Sequence, residues 1–189
     1  GGGKFAPGAC AGPLLANELD ALGKALEGLD LDCRVTLIGD GPERARLEQD
    51  AADLGLRDVV DFAGYRSQSE VARALKVTDA LVLPSFAEGV PVVLMEAMAA
   101  GRPVITTGVA GVSELVEHGK SGFLVPPGDA QRLAQAIRAV LADPDRRIEM
   151  GRTGRTRVVE DFDIGKEAAW LGRLFEVYAD GAAHPGKRP

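Results

Sequence analysis

Short apolar segments alternate with amphipathic ones along most of the chain, and this alternation constrains the fold more than any other feature of the sequence. The apolar segments are rich in β-branched residues and stop at glycine or proline, as residues 34–38 do before Gly39. The amphipathic segments repeat apolar residues at the three- and four-residue spacing of a helix that buries one face. The alternation therefore predicts an α/β fold, in which a parallel sheet is covered by helices on both faces.

Strands are predicted at residues 34–38, 59–62, 80–83, 104–106 and 122–125. Helices are predicted at residues 14–29, 43–54, 67–76, 91–100, 112–117, 129–141, 144–159 and 165–178. We expect a single domain over residues 1–179 and a flexible tail at residues 180–189. Ligands of such sheets bind beyond the carboxyl ends of the strands, so the loops that follow the strands are expected to form the site.

Composition argues against several classes of function. A net charge of −6 at pH 7 disfavours a nucleic-acid-binding surface, which needs a basic face. No apolar run approaches the roughly 20 residues that span a bilayer. Cys10 and Cys33 form no CxxC pair, and His118 and His184 lie far from both in sequence, so no zinc site is expected. So few cysteines fit a reducing compartment, and we expect a cytoplasmic protein.

The most informative segment is the run at residues 84–105, PSFAEGVPVVLMEAMAAGRPVI, which is typical of a loop, a helix and a strand. Pro91 suits the first position of a helix, where its missing amide costs nothing. The amides around Gly89, Val90 and Val92 are then expected to be unpaired and to point into the cleft above the sheet. A helix start of this kind favours an anion, and a diphosphate is a suitable ligand.

Two carboxylates flank this helix start. Glu88 lies in the loop and is suited to sugar hydroxyls, whereas Glu96 lies about one and a half turns into the helix. A carboxylate there can accept two hydrogen bonds from a vicinal diol such as a ribose. Alternatively, Glu88 interacts only with the helix dipole and Glu96 is an exposed helical glutamate. The apolar residues on both sides of Glu96 favour the ligand-binding role, because an unpaired carboxylate is costly among them.

The same run resembles the signature of retaining glycosyltransferases of the GT-B fold, and in particular glycosyltransferase family 4 (group 1). That signature is approximately P-S-x-x-E-G-x-P-x-x-x-x-E-A-x-A-x-G-x-P-V and includes an E-x7-E motif. The chain matches it in register at Pro84, Ser85, Glu88, Gly89, Pro91, Glu96, Ala97, Ala99, Gly101, Pro103 and Val104. Shorter family motifs are matched at residues 39–42, 62–64, 111–114 and 122–125. The resemblance covers about residues 3–178.

This resemblance implies a Rossmann-like sheet that forms the carboxyl-terminal, donor-binding half of a GT-B enzyme, with its first strand missing from the chain. It implies that Glu88 contacts the donor sugar and is the catalytic residue, and that Glu96 binds the nucleotide ribose. The amides of Gly89 and Val90 would bind phosphate and sugar oxygens. Arg66 would lie beside the nucleotide base, although an ordinary surface arginine is an equal alternative.

The chain departs from the family pattern near its amino terminus. The family carries a G-R-L-x-P-E-K-G loop whose Arg and Lys stabilise the leaving diphosphate. In the corresponding stretch, Lys4 takes the Arg position and Ala9 the Lys position. A lysine keeps the charge but lacks the bidentate fork of arginine, and an alanine offers nothing to a phosphate. Lys4 is accordingly a donor-binding candidate or a solvated terminal lysine.

The resemblance implies retaining transfer of a sugar from a UDP-, GDP- or ADP-linked donor, with no metal and no cofactor. The partners would be the nucleotide sugar and a separate or missing amino-terminal acceptor-binding domain, and the chain alone would be inactive. The full-length protein could sit peripherally at the inner face of the membrane. A different class remains open: a non-catalytic module that acts through a partner protein. A nucleotide-sugar epimerase or phosphorylase of the same architecture is disfavoured by the spacing of the two glutamates.

Overall fold

The computed structural model describes residues 34–84, 91–109 and 111–162, together with the backbone of Gly8–Ala11. In these ranges six strands form one parallel sheet, in the order β3-β2-β1-β4-β5-β6. The strands are β1 (Gly8–Ala11), β2 (Val35–Ile38), β3 (Val60–Gly64), β4 (Leu81–Leu83), β5 (Val104–Thr107) and β6 (Gly122–Val125). The helices are α1 (Arg44–Asp53), α2 (Gln68–Val77), α3 (Val92–Ala99), α4 (Val112–Leu115), α5 (Ala130–Ala142) and α6 (Pro144–Asp161).

The predicted α/β fold is confirmed, and each predicted element in the described ranges lies within about two residues of an observed one, the usual uncertainty of element boundaries. The helices predicted at residues 14–29 and 165–178, and the tail at residues 180–189, lie outside the described residues. In the described part of the chain, no helix is long and apolar enough to cross a membrane.

The expectation that the first strand is missing is wrong. Gly8–Ala11 forms β1, which pairs in parallel with β2 on one side and with β4 on the other, and so occupies the centre of the sheet. Ala9 is therefore part of a strand, paired with Thr36 and Leu81, rather than a residue of a phosphate-facing loop. The segment Gly-Ala-Cys-Ala has no β-branched side chain, so its strand is specified by its neighbours and not by its own propensity.

The sheet buries both of its faces. Neighbouring residues of a strand point to opposite faces, and in β5 Val104 packs into one core while Ile105 packs into the other. The Ile105 side is covered by α1 and α5, with Ile137 and Val140 of α5 in contact with it. The Val104 side is covered by α2, α3 and α4. Burial on both faces explains why the strands read as continuous apolar runs.

The carboxyl end of α3 is held in place by α6. Gly101 follows α3 with a φ of +71°, the left-handed conformation that favours glycine at the end of a helix. Gly151 of α6 packs directly on this turn: a Cβ at residue 151 would lie less than 3.0 Å from the Gly101 carbonyl oxygen. Arg155 of α6 donates from Nη1 to the Ala99 carbonyl oxygen at 3.0 Å. The helix is thus fixed by a backbone-to-backbone contact and a hydrogen bond.

At the β6 edge of the described sheet, outward-facing backbone groups bond within the chain. The Leu124 amide donates to Nδ1 of His118 at 3.1 Å, and the Gly119 amide donates to the Gly122 carbonyl at 2.7 Å. The His118 ring also meets Phe123 edge-on, with centroids 5.6 Å apart. The turn that contains His118 therefore covers part of the edge of β6.

Candidate functional site

The strand order marks one point along the carboxyl edge of the sheet. From the central β1 the chain continues to β2 and β3 on one side, whereas β4, β5 and β6 lie on the other. The strand order changes direction between β1 and β4. Ligands of open parallel sheets bind at such a point. A ligand bound at this point would lie next to the end of β4 and the start of α3.

Hydrogen bonds between neighbouring strand ends make this edge rigid. The buried Thr106 hydroxyl donates to the carbonyl oxygen of Leu83, the last residue of β4, at 2.8 Å. The Gly39 amide beyond β2 donates to the carbonyl of Gly64 at the end of β3, at 3.0 Å. The first bond joins β5 to the end of β4, and the second joins the loop after β2 to the end of β3. Side chains that leave this edge therefore start from fixed backbone positions.

The α3 helix begins with unpaired amides. Pro91 is its N-cap, with φ −63° and ψ 126°, so the prediction that Pro91 is the first helical residue is wrong by one position. Val92 is the first helical residue instead. In the described part of the chain, no hydrogen bond is made by the amides of Val92 and Val93, whereas the Leu94 amide donates to the Pro91 carbonyl at 3.1 Å. Since Pro91 has no side-chain acceptor, the helix start remains open to an anion.

The starts of α5 and α6 differ from that of α3. Asp129 accepts the Arg132 amide at 2.9 Å and Asp143 accepts the Arg146 amide at 2.9 Å. A carboxylate thus already caps each of these two helices. The start of α3 has no side-chain cap of this kind.

Glu96 lies on α3 and faces the beginning of α2. Its carboxylate is partly exposed, and Oε1 accepts a hydrogen bond from Nε2 of Gln68 at 3.1 Å. The residues around it on α3, Leu94, Ala97 and Met98, are buried in the core. The sequence predicted Glu96 but not Gln68, because nothing in a local pattern links residues 28 positions apart. The structure brings these two side chains together at the carboxyl edge.

The position of Gln68 is set by a capping arrangement. Ser67 is the N-cap of α2, and the Glu70 carboxylate accepts its backbone amide at 2.8 Å and its hydroxyl at 2.6 Å. These bonds from Ser67 hold the pKa of Glu70 below its usual value, with a smaller contribution from the charge of Arg66. This capping box fixes the first turn of α2, which carries Gln68.

Arg66 is exposed in the loop between β3 and α2, and its Nη1 reaches the Tyr65 carbonyl oxygen at 3.5 Å. It therefore lies at the predicted edge, two positions before Gln68. Lys4, Glu88, Gly89 and Val90 lie outside the described residues, so their placement stays a prediction. In the described ranges, no cluster of three or more His, Cys, Asp or Glu side chains is arranged to hold a metal ion.

The chain is similar to a known family, to individual proteins and to solved structures. The family described as "Glycosyl transferases group 1" matches residues 16–157. The amylovoran biosynthesis glycosyltransferase AmsK of Erwinia amylovora is 40% identical over 136 residues, which cover 64% of this chain and 32% of that protein. The chain thus spans about a third of the length of such relatives.

Solved structures share the fold. Anabaena HepE, crystallised in complex with UDP, superposes with a TM-score of 0.81 at 26% identity, covering 91% of this chain and 49% of that one. The carboxyl-terminal domain of a group 1 glycosyl transferase (LpcC) from Francisella tularensis superposes with a TM-score of 0.75, covering 86% of this chain and 88% of that one. At 24% identity, the second likeness concerns the fold alone.

Proposed function

Because the chain belongs to the group 1 glycosyltransferase family, we propose that it binds a nucleotide-diphosphate sugar and serves in retaining transfer of the sugar to an acceptor. The observation that carries this proposal is the open start of α3, which lies with Glu96 on the helix that follows β4, at the reversal of strand order. The glycosyltransferase relative AmsK and the UDP complex of HepE support it.

The described residues bind three different parts of the donor. The amides of Val92 and Val93, with the positive end of the α3 dipole, bind the diphosphate. The Glu96 carboxylate accepts hydrogen bonds from the ribose hydroxyls. Arg66, at the end of β3, lies beside the base. The diphosphate and the ribose are then bound by the first turns of α3, and the base is bound by the loop that precedes α2.

The remaining roles follow from the family resemblance. Glu88 faces the donor sugar and is the catalytic residue, and the amides of Gly89 and Val90 extend the phosphate site. Lys4 supplies positive charge to the leaving diphosphate. We expect donor binding to be independent of metal, because backbone amides and a lysine counter the phosphate charge; addition of EDTA then leaves the dissociation constant unchanged.

The acceptor is bound by an additional region. Transfer in a GT-B enzyme takes place between two Rossmann-like halves, and this chain resembles the carboxyl-terminal one. The 189-residue chain by itself therefore binds donor without turnover. Glycosyl transfer by the purified chain alone would show that this part of the proposal is wrong.

Calorimetric titration with UDP-, GDP- and ADP-sugars tests donor binding. One nucleotide should bind saturably, and Glu88→Ala and Glu96→Ala should each weaken that binding. Glu149→Ala is the matched control, because Glu149 is an exposed glutamate on α6, paired at 3.9 Å with Arg152. Absence of binding to all three donors, together with tight binding to a second protein, would instead support the non-catalytic module.

A further inference from the structure

A single hydrogen bond links α2 to the glutamate assigned to the ribose. Gln68 Nε2 donates to Glu96 Oε1 at 3.1 Å, across 28 positions of sequence and between two helices. Most other side-chain ion pairs and carboxylate bonds at the surface join residues within one turn, such as Gln49 with Asp53 on α1. The Gln68 contact therefore holds a particular side chain in place rather than supporting a helix locally.

We propose that Gln68 is a positioning residue that orients the Glu96 carboxylate for a vicinal diol. A glutamate has several rotatable bonds, and its carboxylate can accept about four hydrogen bonds. The bond from Gln68 restricts these rotations and occupies one site on Oε1. The remaining sites on Oε1 and Oε2 stay available to two hydroxyl donors. This inference rests on the proposed function, since it assigns a role to Gln68 through the ribose.

The side-chain amide of Gln68 suits this role. A glutamine amide donates a hydrogen bond to a carboxylate and brings no positive charge to it. A lysine or arginine at the same place would form an ion pair and compete with the hydroxyls for the same oxygens. A neutral amide at residue 68 therefore orients the Glu96 carboxylate without forming an ion pair that competes with the hydroxyls.

Gln68 and Glu96 both lie on helices that other contacts hold in place. Gln68 is the first residue of α2, directly after the Ser67 N-cap that Glu70 holds. Glu96 lies on α3, whose far end is packed against Gly151 of α6. A bond between two side chains on such elements transmits orientation, because neither helix can shift easily to accommodate its loss.

The test compares UDP with 2′,3′-dideoxy-UDP, which lacks the diol, by calorimetry on the 189-residue chain. The dissociation constant of dideoxy-UDP divided by that of UDP measures recognition of the ribose. Gln68→Ala should weaken UDP binding about three- to tenfold and change dideoxy-UDP binding less than about twofold, since one hydrogen bond has an effect of this size. Gln68→Glu keeps the side-chain shape but opposes two carboxylates, and should lower the ratio at least as much.

Two controls separate orientation from general stability. Gln49→Ala removes a similar amide–carboxylate bond on α1 and should leave the ratio unchanged. In a Glu96→Ala background, Gln68→Ala should have almost no further effect on UDP binding, because its effect acts through the missing carboxylate. Thermal unfolding of each variant verifies that the fold is retained.

The outcomes distinguish this inference from the proposed function. If Glu96→Ala abolishes diol recognition while Gln68→Ala leaves it intact, the positioning role is wrong and the donor site stands. If Gln68→Ala weakens UDP and dideoxy-UDP equally, its role is structural and the inference is again overturned. If the unmodified chain binds UDP no better than dideoxy-UDP, the ribose assignment itself fails and the inference fails with it. A chain that binds GDP or ADP instead of UDP is tested in the same way with the dideoxy form of that nucleotide, and a chain that binds none of the three overturns the proposed function and the inference together.

Discussion

Replacing Gly151 by alanine tests the packing that holds the far end of α3. A methyl group at this position would lie less than 3.0 Å from the carbonyl oxygen of Gly101, so the two backbones must separate. Overpacking costs about 1–3 kcal/mol, and a backbone neighbour that cannot rotate away favours the upper end. The helix gains about 1 kcal/mol from glycine to alanine. The net expectation is a loss of about 2 kcal/mol in the free energy of unfolding.

Gly154→Ala is the matched control on the same helix. There the added methyl would meet the Met98 side chain at 3.5 Å, an ordinary contact, so only the gain in helix propensity remains. Urea denaturation followed by circular dichroism should place Gly154→Ala at or up to about 1 kcal/mol above the unmodified protein. A Gly151→Ala variant as stable as Gly154→Ala would refute the close approach of α6 to the turn after α3.

Three further substitutions have expected outcomes. Asp79→Ala removes the carboxylate that pairs with the largely buried Arg147 at 3.1 Å and should cost about 2–3 kcal/mol in urea denaturation. Thr106→Val removes the buried hydroxyl that donates to Leu83 and should cost about 1 kcal/mol, measured by the shift in thermal midpoint. Because the folded pKa of Glu70 lies below its unfolded value, its stabilisation is present above the unfolded pKa and is lost as pH falls through the folded one. The stability difference between Glu70→Gln and the unmodified protein should therefore vanish in acid; a difference that stays constant would contradict this assignment.

The sequence predicts elements well where their own side chains specify them. Val104 and Ile105 are β-branched and apolar, and each is buried on a different face of β5, so the strand was predicted. Gly8–Ala11 carries no such signal, although it forms the central strand. Its place is determined by hydrogen bonding to β2 and β4, and no local pattern contains that information.

The candidate site was predictable to the extent that its signals are local. Glu96 was identified because a carboxylate among apolar neighbours needs a partner, and the structure supplies one. That partner, Gln68, could not be identified, because α2 and α3 meet only in the folded chain. Pro91 was placed one position too far into the helix, since a proline is compatible with both the N-cap and the first turn. Glu88 and Lys4 stay predictions.

The turn that covers β6 has a consequence for how the protein behaves at high concentration. Exposed strand edges recruit strands from other molecules and so start aggregates. Here the Leu124 amide and the Gly122 carbonyl already have partners in His118 and Gly119. A second molecule approaching along this side would have to displace an imidazole before it could extend the sheet. His118, which covers part of the β6 edge, thereby hinders the addition of a strand from another molecule.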